Sequence, residues 1–162
     1  QRIEAKIGEF QKRSVSSGDE VSRRGEHIPN FQLDNLDGVS VSWQDVASLG
    51  LPVAFVFIDP NGCNKCIQLL SPIVELSEEL DGHANIVVVT TRGEKFGTDA
   101  YSIVKDAPPN LVVLFQERYE VFEEIRVEKV PSAVVAATSG EITEGFFHGE
   151  QEIVEKLRLV FS

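Results

Sequence analysis

Six consecutive apolar residues, Val53-Ala54-Phe55-Val56-Phe57-Ile58, constrain the fold of this chain more than any other feature. The run has the length of a strand, is rich in β-branched and aromatic side chains and offers no polar residue to water. It therefore predicts a strand covered on both faces. Such a strand needs other strands beside it and helices on either side, and the flanking sequence supplies them. Cys66, Ile67, Leu70, Ile73, Val74 and Leu80 recur at helical spacing, and the period closes at Asp81-Gly82. Residues 86–90 and 111–115 predict two more buried strands, followed by helices over 98–105 and 118–125 respectively. Residues 132–137 and 142–147 predict strands joined by a Ser139-Gly140 turn, and Ile153, Val154, Leu157, Val160 and Phe161 mark a closing helix. Upstream, residues 31–34 and 39–42 flank Asp37-Gly38, a hairpin signal, and a short helix over 44–49 stops at Gly50.

The resulting order is β-α-β in the first half and β-β-α in the second. Crossovers of the first kind are right-handed almost without exception, so the order folds to a mixed sheet with helices on both faces, an α/β domain that ends antiparallel. A length of 162 residues accommodates one such domain. Residues 1–27 have a different texture: Ile3, Ile7 and Phe10 suggest one short amphipathic helix, and polar stretches follow. These residues read as a stalk or linker ahead of a domain spanning 28–162. The chain opens on Gln1 and contains no Met, which predicts that a preceding segment, a signal or a membrane anchor, has been removed. With 15 Lys and Arg against 26 Asp and Glu, the net charge of -11 repels a phosphate backbone, and no nucleic-acid partner is expected.

The chemistry lies in Gly62-Cys63-Asn64-Lys65-Cys66, which holds the only two cysteines. Two residues between cysteines, after a strand and at the start of a helix, form a redox motif. The spacing puts both sulfurs on the first helical turn, within reach of a disulfide, with Cys63 at the exposed end. Unpaired N–H groups at the helix N-terminus favour the thiolate of Cys63, and Lys65 adds a cation. Stabilising that thiolate raises the reduction potential and moves the pair toward the oxidising end of the range. Two other readings of the pair are a static structural disulfide and half of a zinc site. Zinc needs about four ligands, and His27, His83 and His148 are each isolated in sequence, so no metal and no cofactor beyond the cysteine pair is expected. Trp43 reads as an anchor of the first helix. Glu117, Glu120, Glu123, Glu124 and Glu128 read as one solvated helix face and its exit, with the alternative that they choose a basic partner.

Several short motifs occur in a telling order. They are Ile28-Pro29-Asn30-Phe31-Gln32-Leu33 followed by Leu36-Asp37-Gly38, the strand ending at Ile58, the cysteine pair, Lys129-Val130-Pro131-Ser132 before a strand, and Ser139-Gly140. Together they resemble the thioredoxin superfamily, and within it the TlpA-like branch of exported thiol-disulfide oxidoreductases, which includes methylamine dehydrogenase maturation proteins. The resemblance covers residues 28–161. It implies a thioredoxin fold with an N-terminal β-hairpin extension, with Cys63 as nucleophile and Cys66 as resolving thiol. It also implies a cis peptide bond at Pro131, with the backbone of Val130 pairing to a protein substrate that carries thiols or a disulfide. An extracytoplasmic location, behind a membrane anchor and a linker, is implied as well.

The departures from that family are informative. Gly62 stands where an aromatic residue often precedes the first cysteine, and Pro72 falls six residues after Cys66 instead of five. The two positions that often hold a buried acid, as proton acceptor for the second thiol, carry Phe57 and Leu69. Asp59 is the nearest substitute in sequence, either as that acceptor or as a cap of its loop. Without an acid, release of a reduced substrate is slow, which leans toward oxidation, isomerisation or a maturation role. A second class of function stays open: a non-catalytic binding or chaperone module that holds its partner along the Pro131 edge beside a structural disulfide.

Overall fold

The structure, a computed structural model, describes residues 22–92 and 97–162. The short helix and most of the linker expected over residues 1–21 lie outside the described residues. In chain order the elements are β1 (Gln32–Asp34), β2 (Ser40–Ser42), α1 (Trp43–Ala47), β3 (Val53–Ile58), α2 (Asn64–Glu79), β4 (Asn85–Thr91), α3 (Thr98–Val104), β5 (Leu111–Gln116), α4 (Glu120–Ile125), β6 (Ser132–Ala136), β7 (Ile142–His148) and α5 (Glu150–Val160).

The strands form one seven-stranded sheet in the order β2-β1-β5-β4-β3-β6-β7. β3, β4 and β5 are parallel, with Val56 opposite Val88 and Val88 opposite Val113, whereas β6 and β7 run antiparallel on the other side of β3. Every residue of β3 is buried, as expected of a central strand with helices on both faces. At the far margin β1 and β2 pair antiparallel, Leu33 opposite Val41, and β1 meets β5 at a single pair, Asp34 with Phe115. The Asn35 side chain accepts the N–H groups of Asp37 and Val39 in the intervening turn, and Gly38 there takes φ +79°, a backbone conformation that L side chains rarely adopt.

Alternate residues of β3 feed two cores. Ala54, Val56 and Ile58 face α2, α3 and α5, packing with Leu69, Leu70, Ile73, Leu76, Val104, Ile153 and Leu157. Val53, Phe55 and Phe57 face α1 and α4, where the rings of Phe31, Trp43, Phe122 and Phe146 gather. Trp43 lies 5.8 Å from Phe55 and 6.5 Å from Phe31 between ring centroids, so it anchors α1 to the sheet. Helix α2 runs through Pro72 and buries one face, as its apolar period requires. Its far end is tied down twice. The buried Asn110 amide donates to Ser77 O at 2.8 Å and Ala84 O at 3.2 Å, and Arg158 on α5 makes a two-pronged pair with Glu79 at 2.8 and 2.9 Å.

Residues 22–27, grouped with the linker on sequence, instead run along the outer edge of β7. Arg23 N–H donates to Gly145 O, Gly25 N–H to Ile142 O, and Ile142 N–H to Glu26 O. The unpaired edge of the sheet is thereby covered. Arg23 is buried: its guanidinium sits 5.3 Å from the centre of the Phe146 ring, donates to Arg126 O at 3.3 Å and lies 3.8 Å from Glu26. Burial and the neighbouring Arg126 push its pKa down from the usual arginine value.

Candidate functional site

Cys63 caps the N-terminus of α2 in an extended conformation, and its sulfur accepts the Cys66 N–H at 3.1 Å. One helical turn brings the two Cα atoms to 5.4 Å, and the sulfurs are paired as a disulfide. The pair is asymmetric. Cys63 is partly exposed, while Cys66 is fully buried in the aliphatic core beside α2. Asn64 and Lys65 point to solvent in the first turn, and that turn carries no acidic residue to offset the positive end of the helix.

Across from the sulfurs lies the turn before β6. The Val130–Pro131 peptide bond is cis, and the Val130 carbonyl oxygen stands 3.8 Å from Cys63 Sγ. Pro131 is buried, and its carbonyl accepts the Gly149 N–H at 3.1 Å. The fold thus brings Cys63, Cys66, Val130 and Pro131 together from two separate crossovers.

Asp59 follows β3 at its carboxyl end. Its Oδ1 accepts the Thr91 hydroxyl at 2.7 Å and the Asn61 N–H at 3.3 Å, and its Oδ2 accepts the Tyr119 hydroxyl at 3.3 Å. The Asn61 amide donates in turn to Thr91 Oγ1 and Arg92 O. This network holds the loop that delivers Cys63. The carboxylate pushes the Tyr119 pKa up, since ionising the phenol beside it is disfavoured. Leu69 and Phe57, which stand where an acid could serve the second thiol, face different ways: Leu69 lies in the aliphatic core with Cys66, and Phe57 lies among the rings of the opposite face. His27 bridges to Glu141, and His148 stacks on Phe146 at 5.9 Å. Among the described residues no group of three or more His, Cys, Asp or Glu side chains is arranged to hold a metal ion.

Sequence alone missed Thr91, Tyr119 and a groove on the α4 side of the disulfide. The parallel register sets Ile58 opposite Thr90, which places Asp59 next to Thr91; that neighbourhood becomes readable once β3 and β4 are paired. The groove, of about 390 Å³, is lined by Asp59, Tyr119, Phe122, Glu123, Glu128 and Val130, with Arg126 and Val127 completing it. These residues come from two stretches of chain, Asp59 after β3 and 119–130 around α4, and carry no common motif.

No family model and no curated protein matches this chain. Solved structures do. The thioredoxin domain of a thiol-disulfide oxidoreductase from Bacteroides vulgatus superposes with a TM-score of 0.69 at 18% identity, covering 86% of this chain and 98% of its own. A thiol:disulfide interchange protein from a Bacteroides species gives 0.66 at 20% identity, covering 85% and 90%. An exposed lipoprotein thioredoxin from Streptococcus pneumoniae gives 0.59 at 21% identity, covering 81% and 99%. With these likenesses beside the sheet order and the helix-capping cysteine pair, the chain has the thioredoxin fold.

Proposed function

We propose that this protein is a thiol-disulfide oxidoreductase that exchanges disulfides with a protein substrate through a mixed disulfide on Cys63. The observation that carries the reading is the asymmetric pair: a partly exposed sulfur at a helix N-terminus, joined to a buried partner and facing the free side of the Val130–Pro131 turn. The resemblance in sequence and the activities named for the structural neighbours support it.

In the oxidising direction a substrate thiolate attacks Cys63 Sγ and the Cys63–Cys66 bond breaks, with Cys66 leaving as a thiolate that takes up a proton. A second substrate thiolate then attacks the substrate sulfur of the mixed disulfide and Cys63 leaves. The substrate gains a disulfide, and the pair gains two electrons and ends as a dithiol. Helix α2 stabilises the departing Cys63 thiolate and Lys65 adds to it, which favours this direction. Cys66 is enclosed by aliphatic side chains, and among the described residues no Asp or Glu is buried where it could move its proton. In the reducing direction Cys66 must lose its proton before it resolves the mixed disulfide on Cys63, so release of a reduced substrate is slow, which suits oxidase, isomerase or maturation work. Asp59, with both carboxylate oxygens already accepting hydrogen bonds, acts as a positioning residue for the loop; Val130 and Pro131 offer backbone to the substrate. No helix among the described residues is long and apolar enough to cross a membrane. An extracytoplasmic setting is favoured by the sequence resemblance and by the exposed lipoprotein among the neighbours.

The decisive measurement is the equilibrium reduction potential of the pair in glutathione buffers. A value toward about -120 mV supports an oxidant, and one near about -270 mV assigns the reducing direction instead. A pair that never exchanges with glutathione overturns the catalytic reading.

A further inference from the structure

The groove between α4 and the Cys63 loop borders the reactive sulfur through one residue: Val130 lines it, and the Val130 carbonyl oxygen lies 3.8 Å from Cys63 Sγ. Its apolar floor is Phe122, Val127 and Val130, with the Tyr119 ring 6.2 Å from Phe122 at its mouth. Its charge is one-sided. Glu123 and Glu128 are exposed on the rim and form no ion pair among the described residues. Arg126 is the lining cation, and its guanidinium is already held by Glu26 at 2.7 Å. Buried Arg23, which shares Glu26 and lies in the field of Glu128, is turned to Phe146.

We infer that this groove selects polypeptide substrates that carry a Lys or Arg side chain within a few residues of the reacting cysteine. The inference rests on the proposed disulfide exchange and names its substrate class. A long basic side chain lays its methylene stem on Phe122, Val127 and Val130 and brings its charged head to Glu123 and Glu128, the arrangement such side chains adopt on apolar surface with an acidic rim. Extended chain advances about 3.3–3.6 Å per residue, so a groove bordering the sulfur is reached from neighbouring positions and not from distant ones.

The test uses the full chain with Cys66→Ser and three peptides identical except for Lys, Gln or Glu two residues either side of a single cysteine. That cysteine is blocked as a mixed disulfide with 2-thiopyridine. Attack by Cys63 forms the peptide mixed disulfide and releases 2-thiopyridone, read by absorbance. Each rate is divided by that of 2-mercaptoethanol on the same peptide, to remove intrinsic reactivity. The Lys peptide is expected to react about five- to tenfold faster than the Glu peptide at low salt, with Gln between. The preference should fall to about twofold or less in the Glu123→Gln/Glu128→Gln variant, whereas a variant of equal charge altered at the far end of α2, Glu78→Gln/Asp81→Asn, keeps it. Equal loss in both variants, or no preference in the parent, overturns the inference. Uncharged 2,2′-dithiodipyridine separates the two levels of the proposal. Its failure to react with Cys63 sinks the exchange reading itself, while normal reaction without a peptide preference sinks only the groove.

Discussion

The two faces of the sheet are packed from different materials. On the side of α2, α3 and α5 the core is almost wholly aliphatic, and Cys66 is one of its members. On the side of α1 and α4 it is a chain of rings, Trp43 to Phe55 to Phe57 to Phe122, in tilted, stacked and edge-on contacts 5.8 to 6.3 Å apart. Aliphatic side chains close around a sulfur and keep water and charge from it. Large rings make a broad, stiff floor that α4 covers incompletely, and the groove opens at that margin. On the proposed reading, one face stores the bond and the other receives what the bond is exchanged with.

The largest expected effect separates chemistry from packing. Cys63→Ser should reduce disulfide exchange to the uncatalysed background while leaving both cores intact, as judged by an unchanged near-ultraviolet circular dichroism spectrum. Phe57→Ala, on the ring side, is expected to cost about 3–5 kcal/mol in urea unfolding, and Ile73→Ala, on the aliphatic side, about 2–5 kcal/mol. If the ring face is the substrate floor, the first should also slow peptide exchange more than reaction with 2,2′-dithiodipyridine, and the second should not. Thr91→Val removes one hydrogen bond to Asp59 and should cost about 1.5 kcal/mol, with a change in Cys63 alkylation rate as the loop loosens. An unchanged rate would argue against Asp59 as a positioning residue.

The smallest effect concerns the exposed pair of Glu79 and Arg158. Hydrogen bonding to Arg158 holds the Glu79 carboxyl below its ordinary 4.5 in the folded protein. A depressed folded pKa gives stability that is complete above the unfolded value and is lost as pH falls through the folded one. Arg158→Ala should therefore lower Tm slightly at neutral pH, and the difference should shrink as pH falls below 4.5 and vanish once pH is below the depressed folded pKa. A difference that persists there would mean Arg158 acts through packing alone.

Much of this was legible from side-chain periodicity. The six-residue apolar run became β3 with the expected bounds, and the helical period after Cys63 became α2, because burial on two faces and on one stripe leave distinct patterns. Helix α4 begins at Glu120 instead of residue 118, since the Glu120 carboxylate takes the N–H groups of Glu117 and Arg118 before the helix starts. Residues 22–27 read as linker because they attach through backbone hydrogen bonds and one arginine over a ring, neither of which leaves an apolar period. The cysteine pair was evident from its spacing, whereas the groove was not, since only the topology brings Asp59 beside the 119–130 stretch.

The double tether at the distal end of α2 has a bearing on the redox cycle. Ser77 and Ala84 are stitched by one amide and Glu79 is paired with Arg158 of α5, so the distal end of the rod carrying the cysteines is tied to its neighbours. On the proposed exchange, rearrangement between the oxidised and reduced forms is expected at the tip that Cys63 caps, with the distal end of the helix as its fixed mount.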